Sequence, residues 1–218
     1  MPDVIQNAVM IHRLASPARL LLLFHGVGAQ PHHLVPLGQA LARSRPNTLV
    51  ASLRAPFASD LGQGWQWFSV REVTEANRPA RVAAAMPLFV QAVRDWQASC
   101  GVGPEATDLI GFSQGAIMAL ESTQHAPGLA HSVTAIAGRF AQPPQRPLGD
   151  TRVHLVHGSA DPVMPVQCAR DARDALAALQ SPASLDIVDG MGHSIDLRAL
   201  AAVQRHLPGG TAPAQVPA

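Results

Sequence analysis

The sequence predicts a doubly wound, mostly parallel α/β sheet with helices on both faces and no cap domain. Three observations predict it. Short β-type runs alternate with helical periodicities along the chain, the pattern that lays helices over a parallel sheet. Residues 20–24, Leu-Leu-Leu-Leu-Phe, form an unbroken apolar run, as a strand covered on both faces requires. Four predicted strands also stop at special residues: His25-Gly26-Val27-Gly28, Ser113, Asp161 and His193. Open α/β sheets build their sites at such strand ends.

The elements follow in order. Residues 9–12 give a first strand, at a sheet edge because its apolar stretch is short, and Ser16-Pro17 turns the chain. After the strand at 20–24, Leu34, Leu37 and Leu41 have helical spacing, and 48–51 is the next strand. Residues 52–78 give no clear element. That stretch holds Pro56, Gly62, Gly64, Trp65 and Trp67, followed by Phe68. So long a connection is unusual in a compact domain and often serves function. Its aromatics either pack it down as a satellite core or wall a substrate groove, and both can hold at once.

Pro79 suits the first turn of a long helix in which Val82, Met86, Phe89, Val93 and Trp96 recur every three or four residues. Pro87 falls inside that pattern and should bend the helix or split it. Gly101 ends it. A strand at 106–110, a turn, and a helix beginning around 116–121 come next, then strands at 133–137 and 153–157. Val166, Ala169, Ala172, Leu176 and Leu179 mark a helix, 185–188 the last strand, and Ile195, Leu200, Val203 and Leu207 a closing helix. The gap between 137 and 153 is too short for a helical cap, so the site should be shallow and roofed by loops. This reads as one domain over 1–207 and a disordered Pro-, Gly- and Ala-rich tail over 208–218.

Composition narrows the partners. A chain of 218 residues with 47% apolar content can bury a sizeable core and is not generally disordered. The formal charge of +1 gives no reason to expect nucleic acid or an anionic membrane. Cys100 and Cys168 are too few for a disulfide framework, and two free thiols fit a reducing compartment. The opening residues carry no basic region followed by an apolar one, and the longest apolar run, 82–90, is about half of what a bilayer requires. The expectation is a cytoplasmic protein without stable membrane insertion.

The chemistry centres on Gly111-Phe112-Ser113-Gln114-Gly115, a Gly-x-Ser-x-Gly between a strand and a helix. The glycines let the backbone crowd the serine, and the helix N-terminus offers free N–H groups. A serine hydroxyl is a poor nucleophile, so an imidazole must take its proton as it attacks a carbonyl. His193, between Gly192 and a helix start, is the candidate base. Asp161, between a strand and a Pro-led turn, is the candidate acid that holds the imidazole in its tautomer. Asp171, Asp174, Asp186, Asp189 and Asp196 are the rival acids. The backbone N–H groups of Gln114 and of the loop after Phe24, through Val27, are the available oxyanion donors. Trp65, Trp67, Phe68 and Met164 are candidates for an apolar substrate groove. His25, His32 and His33 match no zinc spacing, and Gly26-Val27-Gly28 lacks the features of a nucleotide loop, so neither a metal nor a nucleotide is expected.

The motifs His25-Gly26-Val27-Gly28, Trp67-Phe68, Gly111-Phe112-Ser113-Gln114-Gly115, His157-Gly158-x-x-Asp161-Pro162-Val163 and Gly192-His193-Ser194 resemble the small carboxylesterase/lysophospholipase family of α/β-hydrolases, which includes the acyl-protein thioesterases. The stretches at 66–70 and 111–121 look most like a bacterial esterase branch. The resemblance implies a capless hydrolase of short- to medium-chain esters or thioesters, needing no cofactor and acting as a monomer or homodimer. It also implies nucleophile Ser113, acid Asp161, base His193, and oxyanion donors Val27 and Gln114. Ala29 and Ser69 stand where many members carry Asp. The contrary reading is a non-catalytic hydrolase-like fold that binds an acyl group or a protein.

Overall fold

A computed structural model describes residues 7–181 and 183–207. The expectations for 1–6 and for the tail at 208–218 lie outside the described residues. The sheet is built from β1 (Ala8–His12), β2 (Arg19–Phe24), β3 (Thr48–Leu53), β6 (Thr107–Phe112), β7 (Ser132–Ile136), β8 (Arg152–Gly158) and β9 (Ser184–Val188). Their spatial order is β1-β3-β2-β6-β7-β8-β9. Only β1 is antiparallel, at the edge, with a register irregularity between Met10 and His12. The helices are α1 (Val35–Arg43), α2 (Arg78–Cys100), α3 (Gln114–His125), α4 (Gln167–Ala178) and α5 (Leu197–His206).

The unbroken apolar run of β2 divides itself between two cores. Leu20, Leu22 and Phe24 join the cluster that includes α2, α3 and α4 residues, while Leu21 and Leu23 join the one that includes α1 and α5 residues. All five are at most 1% exposed, as expected of a strand sandwiched between helical layers. The chain goes from β2 to β3 on one side and later lays β6 on the other, so the crevice between β2 and β6 is the point where strand order reverses. The loops leaving these two strands therefore face each other.

One expectation is narrowed and one needs correction. Of the two outcomes expected at Pro87, a bend or a split, the split does not occur: α2 runs unbroken through it. Pro87 lies on the exposed face, beside exposed Ala83 and Ala84, so the carbonyl that loses its helical donor meets water instead. The 52–78 stretch is also not wholly irregular. Phe57–Ala58 (β4) pairs antiparallel with Trp65–Gln66 (β5) in a small hairpin.

The far end of the sheet carries a histidine cluster. The His154 ring stacks on His206 at 4.4 Å, and His154 Nδ1 lies 2.7 Å from Ser184 Oγ. His206 and Arg205 both hold Asp186. Burial, then the neighbouring charges of His206 and Arg152, push the His154 pKa from 6.5 down to about 4, against the opposing pull of Asp186. The folded state thus resists a proton that the unfolded chain accepts. Stability should be lost as pH falls from about 6.5 to about 4, and this contribution should level off below that window. Urea unfolding across pH 4–7 checks this. His154→Gln should flatten the slope in that window and leave the steeper carboxylate-driven loss at lower pH in place.

Candidate active site

The site begins with a steric constraint. A Cβ on Gly115 would sit 2.2 Å from the Phe24 carbonyl oxygen, and one on Gly111 would sit 2.3 Å from the Gly115 oxygen. With no side chain at either position, α3 starts directly against the end of β2. The turn forces Ser113 to φ 53°, ψ −116°, a left-handed conformation that costs a non-glycine residue about 1–3 kcal/mol. The strain is held by the Ser113 N–H donating to Ile136 O at 3.0 Å and by the Ser113 carbonyl accepting from Ala116 and Ile117.

The three sequence-predicted polar side chains meet here. His193 Nε2 is 2.9 Å from Ser113 Oγ, and His193 Nδ1 is 2.7 Å from Asp161 Oδ2. Two loops bring Asp161 and His193 together from strands β8 and β9. Ser159 N–H donates to Val188 O and Ala160 N–H to Met191 O, and a Cβ on Gly158 would lie 2.0 Å from the Met191 oxygen. The Asp161 side chain is fully buried, whereas that of His193 keeps 16% of its surface exposed. Burial alone would raise the pKa of Asp161. The N–H groups of Met164 and Val163, at 2.8 and 2.9 Å on Oδ1, together with His193 on Oδ2, outweigh it and hold the carboxyl below its ordinary range. The Phe112 ring packs 5.0 Å from the imidazole.

The rival acids are engaged elsewhere. Asp186 belongs to the His206–Arg205 cluster, Asp189 accepts from Ser159 Oγ, and Asp196 caps α5. One residue that sequence reading passed over is His157. It is 1% exposed, its Nε2 lies 2.8 Å from Met164 O, and the same atom is 3.6 Å from Asp161 Oδ2. It thereby fastens the turn whose N–H groups hold Asp161. Its place in the His-Gly-x-x-Asp motif was the available signal.

The loop after β2 lies against the elbow, since a Cβ on Gly26 would be 3.2 Å from Ser113 Cβ. Among the described residues, neither the Val27 N–H nor the Gln114 N–H donates to another group. His25 fastens the loop: its Nδ1 is 2.7 Å from Gly26 O, and its Nε2 accepts from Ala55 N–H at 3.1 Å. Both ring nitrogens are therefore occupied, and burial lowers its pKa, keeping it neutral. His32 and His33 pack against each other, 4.3 Å apart, on a separate 3₁₀ turn.

Of the two roles expected of the aromatics, packing and a groove wall, packing is the one seen in the contacts of Trp67 and Phe68. Trp67 and Phe68 are 2% and 4% exposed and belong to the main core. Trp67 meets Phe24 and Phe89 edge-on and donates Nε1–H to His25 O, so its surface is spent on packing. Trp65 is half-buried with the Arg54 guanidinium 4.1 Å over its ring, and Met164 is half-buried against the same core. Ser69, which stands where many family members carry Asp, donates to Asp60, whose carboxylate also accepts from Val70 and Arg71 N–H. On the same edge of the sheet, the segment after β7 walls a cavity of about 330 Å³ with Phe140, Pro143 and Cys168. There Arg139 is clamped to Glu75 at 2.7 Å.

A serine on a strained strand-to-helix turn, beside a histidine and a buried aspartate at the carboxyl edge of a parallel sheet, defines the α/β-hydrolase class. Within it, the chain belongs to the phospholipase/carboxylesterase family, whose signature spans residues 6–209. The chain is 47% identical to Esterase YpfH of Escherichia coli (strain K12), over 87% of this chain and 82% of that protein. It is 30% identical to acyl-protein thioesterase 1 of Kluyveromyces lactis, covering 88% of this chain and 92% of the relative. The crystal structure of esterase PE8 superposes with a TM-score of 0.82 at 30% identity, covering 90% of this chain and 95% of that one.

Gly26 offers a direct test of this geometry. Gly26→Ala should press on Ser113 by a few tenths of an ångström, and the rate of fluorophosphonate labelling at Ser113 should fall about tenfold. Mass spectrometry of the labelled serine against time measures the rate. Circular dichroism should show an unchanged fold.

Proposed function

We propose that this chain is a serine carboxylesterase that hydrolyses short- to medium-chain carboxylic esters through an acyl-enzyme on Ser113. The observation that carries the reading is the continuous Ser113–His193–Asp161 hydrogen-bonded relay beside the free N–H groups of Val27 and Gln114. Membership of the phospholipase/carboxylesterase family and the 47% identity to Esterase YpfH support it.

In this reading Asp161 accepts the Nδ1–H of His193, leaving Nε2 free to take the Ser113 proton as Oγ attacks the ester carbonyl. The oxyanion that forms is held by the Val27 and Gln114 N–H groups, each worth roughly 2.7–4 kcal/mol in comparable sites. His193 then passes its proton to the departing alcohol, and a water activated by the same imidazole cleaves the acyl-enzyme. No step calls for a cofactor. The reading takes 1–207 as the hydrolase domain, acting in the cytoplasm as a monomer or homodimer. Among the described residues no helix is long and apolar enough to cross a membrane. Thioesters are the second reading, favoured by the 30% identity to an acyl-protein thioesterase; release of free thiol from acyl-thioester substrates distinguishes it.

Ser113→Ala and His193→Ala should each lower kcat by about 10⁴-fold, and the double variant should be little worse than either, because the residues act as one unit. Asp161→Asn should keep the fold and lose most of the rate, while Asp186→Asn and Asp189→Asn stay near wild type. Full activity in Asp161→Asn with loss in either control would mean a different acid.

Acyl length is a separate test. With Trp67 and Phe68 committed to the core and, among the described residues, no cap between β7 and β8, the reading takes the site as a shallow open groove. On p-nitrophenyl esters from C2 to C16, kcat/KM should rise by up to about 10- to 200-fold per methylene and then stop before the longest chains. A steady rise through C16 would contradict this.

A further inference from the structure

We propose that the side chain of Gln114 is a positioning residue that ties the two halves of the oxyanion hole into one unit. The inference rests on the reading above that the Val27 and Gln114 N–H groups hold the oxyanion.

Gln114 is 3% exposed, so its amide has to be satisfied inside the protein. Its Oε1 accepts from Trp67 N–H at 2.8 Å, and its Nε2 donates to Phe68 O at 2.7 Å. Both partners are backbone groups with fixed roles, one a donor and the other an acceptor, so the amide can face only one way. The side chain serves the 67–68 segment as a neighbouring strand would. That segment is bonded in turn to the loop after β2. Trp65 N–H donates to Ala29 O at 3.0 Å, Gly28 N–H donates to Trp65 O at 2.9 Å, and Trp67 Nε1–H donates to His25 O at 2.9 Å.

Val27 lies between these bonded positions. One strap, residues 65–68, therefore connects the side chain of the residue that carries the first donor to the loop that carries the second. The strap has no slack. Gly64 sits at φ 92°, and a Cβ there would be 2.2 Å from the Gly28 oxygen. An oxyanion hole works only when both donors are aimed in advance at the place where charge develops. A strap anchored at both ends sets that aim.

Two substitutions test the idea against a purely structural role. Gln114→Met keeps the length of the side chain and leaves Trp67 N–H and Phe68 O without partners. Its kcat should fall about 10- to 100-fold with KM within about threefold, since the lost alignment acts on the transition state. Affinity for a trifluoromethyl ketone, whose hemiketal oxyanion occupies the same donors, should fall in step with kcat. Gln114→Glu adds a pH signature. Protonated, the carboxyl presents one acceptor and one donor, as the amide does; ionised, it presents only acceptors to Phe68 O. Burial raises the pKa of such a group. The ratio of variant to wild-type kcat should then be near one at the acid end of the range and decline as pH rises. Thermal melts at each pH accompany the assay: a decline in the ratio that tracks unfolding would mark a merely structural role and overturn the proposal.

Wild-type kcat and ketone affinity in Gln114→Met would overturn the proposal. So would a ratio for Gln114→Glu that is independent of pH, which decides the matter even if the Met variant does not fold. Retained activity in Ser113→Ala is a different outcome: it removes the triad assignment itself, and is read from a separate variant.

Discussion

The close approach of the α3 N-terminus to the end of β2 is the constraint on which the rest of this structure depends. Gly115 can lie against the Phe24 and His25 carbonyl oxygens only because it has no side chain. The parallel register of β2 and β6 sets Phe24 level with Gly111, so the elbow and the His25–Gly28 loop leave the sheet at the same height. A helix start and a loop placed on either side of a strand-order reversal then each keep an N–H group, Gln114 and Val27, without a partner among the described residues. The strained serine is a result of this packing. Its unfavourable φ persists because bonds to β7 and to its own helix hold it on both sides.

Asp161 and His193 depend on a second, independent contact. The loops after β8 and β9 are joined by backbone hydrogen bonds and by the absence of a Cβ at Gly158, so Asp161 and His193 come from neighbouring strands on a shared frame. The carboxylate of Asp161 is buried, which by itself would favour protonation. Two backbone N–H groups and the imidazole offset that cost, and His157 holds the turn that supplies those N–H groups. Asp186 shows the contrast. Its carboxylate is also held below the ordinary range, yet it is committed to His206 and Arg205 on the far side of the sheet. A depressed pKa alone does not mark a catalytic acid.

Much of this was legible from the chain. Strands with apolar runs and helices with clear periodicity read correctly, and Ser113, Asp161 and His193 stood out because each follows a strand and sits in a turn rich in glycine or proline. The aromatic stretch fits two roles in sequence. A Trp-Phe pair in a long loop looks the same whether it lines a groove or plugs a core, and the edge contacts of Trp67 with Phe24 and Phe89 are what identify this tryptophan as core. Pro87 is similar: sequence allows a bend or a split, and the absence of a split follows from the proline's place on the exposed face of α2. The partners of the Gln114 side chain have no signal in the sequence, being backbone groups 47 and 46 residues away, whereas the place of His157 in the His-Gly-x-x-Asp motif pointed to the turn it holds.

The spacing of the relay along the chain has a consequence for synthesis. Ser113 and the histidine bonded to it are separated by 80 residues. At ribosomal rates of roughly 5–20 residues per second, about 4–16 s pass between the emergence of one and the emergence of the other. Throughout that interval the nascent polypeptide carries its elbow without the histidine bonded to it, and β9 has not yet paired with β8 to bring one. On the roles proposed above, the growing chain therefore lacks the base its serine needs. Hydrolytic competence would then wait for β9 to dock on β8.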